Sequence, residues 1–332
     1  MKKRYWIALS AAGVATVAAK LLSRPLDVDW AKNRERVFHS EYSRFLEVSG
    51  VRVHYQEAGE AHDPPIVLIH GFASSTLVWS KVFLEIAAAG FHVIVPDLLG
   101  YGYSAKPRDF DYTITAQAKM ITGLLDRLGL GRVNVVGSSY GGAVAATVAL
   151  DHPERVEKLV LVGAVINNEP TRYTLMRLFG SPLIGDLVSP LLLGSRRLLR
   201  RRMKRVYDRH AWVLDEHRVE SRHLPLRASA THRAIIRTVR RWNAARVEQD
   251  AHLISRPTLL LWGDNDLEVP LSHGEKLLAA VAGARLIVFR SCGHLPHEEV
   301  AESFTKVVVE FCTDQLSEPK TATSNVTDAV EV

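Results

Sequence analysis

Ser139 sits at the centre of Gly137-Ser138-Ser139-Tyr140-Gly141, a G-x-S-x-G pattern suited to a serine that reacts as a nucleophile. The apolar run 133–136 leads into it and the small-residue stretch 142–150 leads out, so the pattern falls between a strand and a helix. A serine on so sharp a turn projects its hydroxyl, and glycine on either side lets backbone pass without a Cβ clash. A helix that starts there aims unpaired amides at the site, that of Tyr140 foremost, where they can stabilise a developing oxyanion. The competing reading is a glycine-rich turn that happens to hold a serine, because five-residue patterns recur by chance.

A hydroxyl is a weak nucleophile at neutral pH, so the pattern requires a base and a carboxylate to orient it. Residues 258–262 read as a buried strand, and the chain then turns through Gly263-Asp264-Asn265-Asp266. Residues 285–289 read as the next strand, followed by Ser291-Cys292-Gly293-His294-Leu295-Pro296-His297-Glu298. Asp266, with Asp264 as its competitor, is expected on the first of these loops. His294 is expected on the second, with His297 on the first turn of the following helix, facing solvent or capping structure. Ser, Asp and His beyond the carboxyl ends of three strands converge on one rim of a parallel sheet, where open α/β folds place their sites.

The elements that must hold them alternate. Strand-like runs at 66–69, 93–95, 133–136 and 159–162 are interleaved with helix-like stretches at 76–88, 115–128 and 140–150. That order implies right-handed βαβ units and a mostly parallel sheet. Residues 45–48 and 51–57, joined by Ser49-Gly50, read as an opening antiparallel hairpin. With 332 residues and 47% apolar content, the chain can bury one main core and carry an insertion.

Taken together, these motifs resemble an α/β-hydrolase fold serine hydrolase from residue 45 to about 312. The resemblance implies an α/β fold: a mostly parallel central sheet flanked by helices, with an inserted helical cap. His70-Gly71-Phe72 resembles the family's oxyanion loop, which implies that the Phe72 amide pairs with that of Tyr140 and that His70 is structural. The run from Asp97 to Ser104 resembles the family's turn after the next strand, with Asp97 structural. The family's G-x-x-D selects Asp266 as the acid and leaves Asp264 to brace the loop, while Gly293-His294 supplies the base. Dehalogenases and epoxide hydrolases share the pattern but carry Asp at the nucleophile, and Ser139 argues against both. No cofactor or metal is expected: the 14 histidines show no paired ligand spacing, and the two cysteines, Cys292 and Cys312, stand far apart in the chain.

The expected division is an amino-terminal hydrophobic anchor or signal segment (1–24), a linker (25–43), the hydrolase core (44–164 and 251–315), a basic helical cap (165–250) and a disordered tail (316–332). From Arg172 to Arg246 there are 18 Lys plus Arg against five Asp plus Glu, so the net +6 conceals a polarised molecule. The run Arg196 to Arg205 is the densest part. Three uses of this charge compete: attraction to anionic lipid headgroups, nucleic-acid binding without any recognised module, and a solvated face with partners on the acidic body. The amino terminus favours the first. Met1-Lys2-Lys3-Arg4 precedes an uncharged, largely apolar run to Ala19, which fits an anchor or a signal peptide cleaved after Val17-Ala18-Ala19. Either way the catalytic domain is expected outside the cytoplasm of a bacterial cell, or secreted.

The expected activity is therefore hydrolysis of lipophilic carboxylic esters through an acyl-enzyme on Ser139, at a membrane surface and without nucleic acid, as in the monoacylglycerol lipase and esterase branch of the family. Three alternatives stand beside it: C–C bond hydrolysis of a dienoate ring-cleavage product whose carboxylates an arginine-rich cap could bind, acyl transfer, and a catalytically silent binding protein. The last predicts a broken triad, and all three positions are intact.

Overall fold

The computed structural model describes residues 24–168, 180–316 and 326–330. The proposed anchor or signal segment, the start of the cap and most of the tail lie outside these residues. No described helix is long and apolar enough to cross a membrane.

Nine strands form one sheet: β1 (Ser43–Val48), β2 (Val51–Ala58), β3 (Pro65–Ile69), β4 (His92–Pro96), β5 (Val133–Ser138), β6 (Val156–Val162), β7 (Thr258–Gly263), β8 (Arg285–Phe289) and β9 (Val326–Val330). Their order is β1-β2-β4-β3-β5-β6-β7-β8-β9. β2 runs antiparallel to both β1 and β4, and every other pairing is parallel. The central strands are apolar at nearly every position because both faces are covered. Val67, Ile69, Val135, Leu260 and Trp262 enter one core cluster, and their alternating neighbours Ile66, Leu68, Val136, Leu259 and Leu261 enter the other. Chain order reverses around β3, which lies between β4 and β5, and such a switch point is where a crevice opens at the strand ends.

The described helices are α1 (Trp30–Asn33), α2 (Phe83–Ala88), α3 (Ile114–Arg127), α4 (Tyr140–Asp151), α5 (Pro182–Leu193), α6 (Arg196–Val206), α7 (Glu216–His223), α8 (Ser229–Arg240), α9 (Ala245–Asp250), α10 (Leu271–Ala280), α11 (Pro296–Glu299) and α12 (Ala301–Cys312). α5 to α9 form a helical insertion between β6 and β7. α4 is buried all round, since its Gly and Ala positions let it lie close against β5 and β6.

Two expectations need correction. The helix anticipated over 76–88 is a 3-10 turn (Thr76–Trp79) followed by the short α2, because the carboxylate of Asp97 takes the Thr76 amide and the Ser75 hydroxyl takes that of Leu77. The segment before β1, expected as a linker, lies against the body and the insertion. The carbonyls of Pro25 and Leu26 accept from the amides of Ser229 and Ala230, Asp27 pairs with Lys106 at 2.8 Å, and Trp30 packs on Phe45. In the tail, Val326–Val330 is not disordered but pairs with β8 as an edge strand.

Two of the seven basic residues on α6 form ion pairs within the insertion. Arg196 pairs with Glu216 at 2.6 Å and with Glu220 at 3.4 Å, and Arg200 also reaches Glu216. Arg241 and Arg246 meet Asp111 and Asp151 of the body, each at 2.7 Å. Arg197, Arg201, Lys204 and Arg205 have no ion-pair partner among the described residues, and Leu198 is exposed beside them.

Candidate active site

Each predicted site residue stands at the carboxyl end of a strand. Ser139 follows β5 and holds φ 56° and ψ −117°, a conformation no L-residue adopts without strain. The strain is fixed by hydrogen bonds: its amide donates to Val162 at 2.9 Å, and its carbonyl accepts from Gly142, Ala143 and Val165. The two flanking glycines are steric necessities. A Cβ on Gly137 would collide with the backbone of Gly141, and one on Gly141 with the carbonyls of Ile69 and His70. The neighbours are rigid backbone, so Gly141→Ala is expected to destabilise the protein by about 1–3 kcal/mol, read as a lower urea midpoint at unchanged slope.

Asp266 lies on the loop after β7 and is held from two sides. Its Oδ1 accepts from the amides of Glu268 and Val269, both at 2.8 Å, and its Oδ2 faces His294 Nδ1 at 2.7 Å. Asp264 accepts from the Cys292 amide at 3.2 Å, which ties the two loops together as a brace and leaves the acid position to Asp266. Burial alone would lower the His294 pKa, but the charge and hydrogen bond of Asp266 outweigh it and raise it above 6.5.

Residues 162 and 163 bring the three together. Val162 receives the Ser139 amide, and a Cβ on its neighbour Gly163 would lie 3.1 Å from both Asp266 Oδ2 and His294 Nδ1. The loop after β3 closes the other side: a Cβ on Gly71 would lie 3.1 Å from that of Ser139. Phe72 directly follows Gly71 on this loop, which places its backbone beside the turn that carries Ser139. Tyr140 is the first residue of α4, so its amide has no helical acceptor before it. His70 is structural, donating from Nδ1 to Gly71 O at 2.8 Å and accepting the Leu98 amide on Nε2 at 3.0 Å. Asp97 is likewise structural, bonded to His54 at 2.7 Å and to the amides of Thr76 and Tyr103.

His297 corrects the expectation of a solvent-facing side chain. It is fully buried, stacked on Trp79 at 4.3 Å between ring centroids, and its pKa falls to about 3 because burial disfavours the imidazolium. It takes no part in the site.

Trp242, from the insertion, was missed by the sequence reading. Its ring packs on Tyr140 at 5.2 Å and on Phe72 at 5.6 Å, and Tyr101 joins Phe72 at 6.3 Å. The turn carrying the serine is thus backed by aromatic rings from both the body and the insertion. The signal available in sequence was only a lone tryptophan among arginines.

A family model described as alpha/beta hydrolase fold matches residues 64–301. The chain is 31% identical over 290 residues to the 2-hydroxy-6-oxononadienedioate/2-hydroxy-6-oxononatrienedioate hydrolase of Burkholderia vietnamiensis, covering 83% of this chain and 98% of that protein. Among solved structures, a meta-cleavage product hydrolase from Pseudomonas fluorescens superposes with a TM-score of 0.71 at 24% identity, covering 82% of this chain and 98% of that one. A membrane phospholipase A superposes with a TM-score of 0.71 at 25% identity, covering 95% of this chain and 100% of that one.

Proposed function

The chain belongs to the alpha/beta hydrolase fold family, and from that membership we propose that it is a serine hydrolase that cleaves a C–C bond beside the ketone of a conjugated keto acid. The observation that carries this reading is the 31% identity to a hydrolase of such compounds over 98% of that protein's length. The site's chemistry fits. His294 takes the proton of Ser139 Oγ, Asp266 holds the tautomer, and the alkoxide attacks the ketone carbon. The amides of Phe72 and Tyr140 receive the oxyanion. With the dienol first converted to its 2-keto tautomer by a proton shift to the carbon beside the ketone, collapse breaks the bond to that carbon, whose electron pair passes through the remaining alkene into the 2-keto acid as a dienolate, and His294 returns the proton. Water then frees the acyl group from Ser139 by the same base. The partly exposed rings of Phe72 and Trp242, packed on Tyr140, suit a flat conjugated chain.

A second reading, hydrolysis of a lipophilic ester, draws on a specific feature. A keto acid brings a carboxylate that needs a cation, yet Arg218 and Arg222, buried in the insertion, are both bonded to Glu298. An acyl ester makes no such demand. The membrane phospholipase A likeness, the unpaired cations of α6 and the apolar amino-terminal run would place this version at an anionic membrane.

One experiment separates them. The first reading expects turnover of a 2-hydroxy-6-oxo dienoate, followed by loss of its conjugated absorbance, at a kcat/KM well above that for any p-nitrophenyl ester. Inertness toward the dienoate with turnover of long-chain esters, enhanced by phosphatidylglycerol vesicles, establishes the second reading in its place.

A further inference from the structure

His294 is held in place by the insertion as well as by its own loop. Its amide donates to the carbonyl of Val206 at 3.1 Å, and Val206 is the last residue of α6. Carbonyls at a helix end lack helical donors and carry the negative end of the helix dipole. The contact therefore satisfies an orphan acceptor and ties the backbone of the proposed base to the insertion.

The next residue of the insertion, Tyr207, fastens this contact. Its hydroxyl donates to Glu298 Oε2 at 2.9 Å. Arg218 Nη1 reaches the same oxygen at 2.6 Å, Arg222 Nη2 reaches Oε1 at 2.6 Å, and Arg222 also donates to the Tyr207 hydroxyl at 3.0 Å. Both arginines come from α7, while Glu298 lies four residues beyond His294 on α11. Burial by itself would protonate Glu298, but the two guanidinium groups hold its carboxyl below the usual range. The cluster is dry and charged, so its geometry is stiff: removing one partner leaves a buried charge uncompensated. The neighbouring Glu299 braces the loop from inside, accepting from the amides of Gly293 at 2.9 Å and Leu295 at 3.0 Å, the two residues that flank His294.

We propose that Arg218 and Arg222 are positioning residues: through Glu298 and Tyr207 they seat the end of α6 against the His294 amide, so the docking of the insertion sets the aim of the catalytic base. The basic residues of the insertion are thereby divided in role. Those on α6 face outward, and the two buried on α7 serve the base. This inference rests on Ser139 and His294 acting as nucleophile and base.

The test is the second-order rate of Ser139 modification by a fluorophosphonate, which needs the base but no particular substrate, alongside kcat, KM and the pH profile. Arg222→Met is expected to slow both labelling and kcat by up to about 10²-fold, the usual cost of misplacing a catalytic group by about an ångström, with KM nearly unchanged. Tyr207→Phe, which deletes one hydroxyl and keeps the ion pairs, is expected to fall between Arg222→Met and wild type, and it carries the test if Arg222→Met does not fold. Arg222→Lys, which keeps a donor and the charge, should recover part of the rate. Arg196→Ala, which breaks an exposed pair of the same insertion, should label at the wild-type rate. Wild-type labelling rates in folded Arg222→Met and Tyr207→Phe, with only the melting temperature lowered, would overturn the proposal. Failure of the wild-type protein itself to label would instead overturn the serine-hydrolase reading.

Discussion

Ser139→Ala should abolish turnover, lowering kcat by about 10⁶-fold, and should eliminate fluorophosphonate labelling while the protein stays folded. The loss is this large because no other group can form the acyl-enzyme. The Phe72 and Tyr140 amides proposed to hold the oxyanion, and the base, would remain, and with binding they sustain only the residual acceleration that survives loss of a nucleophile. Stability should hardly change, since the hydroxyl is absent from the bonds that fix this turn; those run through the Ser139 amide and carbonyl. Ser139→Gly offers a check on the same geometry. Glycine adopts positive φ freely, so the Gly variant should be as inactive as the Ala variant yet relieved of strain worth on the order of 1–3 kcal/mol, and should melt higher than it. Activity of Ser139→Ala above about 1% of wild type, measured on either candidate substrate class, would move the nucleophile elsewhere.

Asp266→Asn is expected to lower kcat by about 10⁴-fold and to shift the acid limb of kcat/KM to lower pH. The first effect follows from hydrogen-bond polarity. Two backbone amides hold one carboxylate oxygen, so an asparagine must keep its carbonyl there and turn its NH₂ toward His294 Nδ1. Facing a donor, Nδ1 becomes the acceptor and the proton moves to Nε2, the nitrogen that has to receive the serine proton. The second effect follows from charge. The wild-type histidine has its pKa raised above 6.5 by Asp266 against the pull of burial. Activity needs neutral imidazole, so the raised pKa sets the wild-type acid limb, and loss of the Asp266 carboxylate lowers that pKa and moves the limb down. The stability contribution has the matching sign: the imidazolium–carboxylate pair stabilises the folded state fully below the unfolded pKa, and this is lost as pH rises through the folded one. A pH series of kcat/KM for both proteins, with thermal melts at the same pH values, measures both. An unshifted acid limb in the variant would remove Asp266 as the orienting acid.

The residues legible in sequence were those whose roles are set by their own strand and the turn after it. Ser139, Asp266, His294, Phe72 and Tyr140 each follow an apolar run, and strands buried on both faces announce themselves by continuous Val, Ile and Leu. His297 was misread because a histidine on a first helical turn gives no local sign of Trp79, which stacks on it from more than two hundred residues away. Trp242 and the Arg218–Arg222–Glu298 cluster were invisible for the same reason, since nothing near an arginine in sequence marks it as buried. The strand Val326–Val330 reads as polar tail because an edge strand needs only a neighbour's free hydrogen-bonding groups, here those of β8.

What the sequence determined by itself was therefore the alternation of elements, the parallel sheet and the strand ends on which the proposed reacting groups stand, because these follow from short-range periodicity and from turns that demand particular residues. The tertiary structure decided what surrounds those groups: the aromatic wall behind Ser139, the partners that divide the basic insertion into outward and inward arginines, and the helix end that meets His294. Burial and charge pairing depend on contacts between segments distant in the chain, and only the folded backbone brings those segments together.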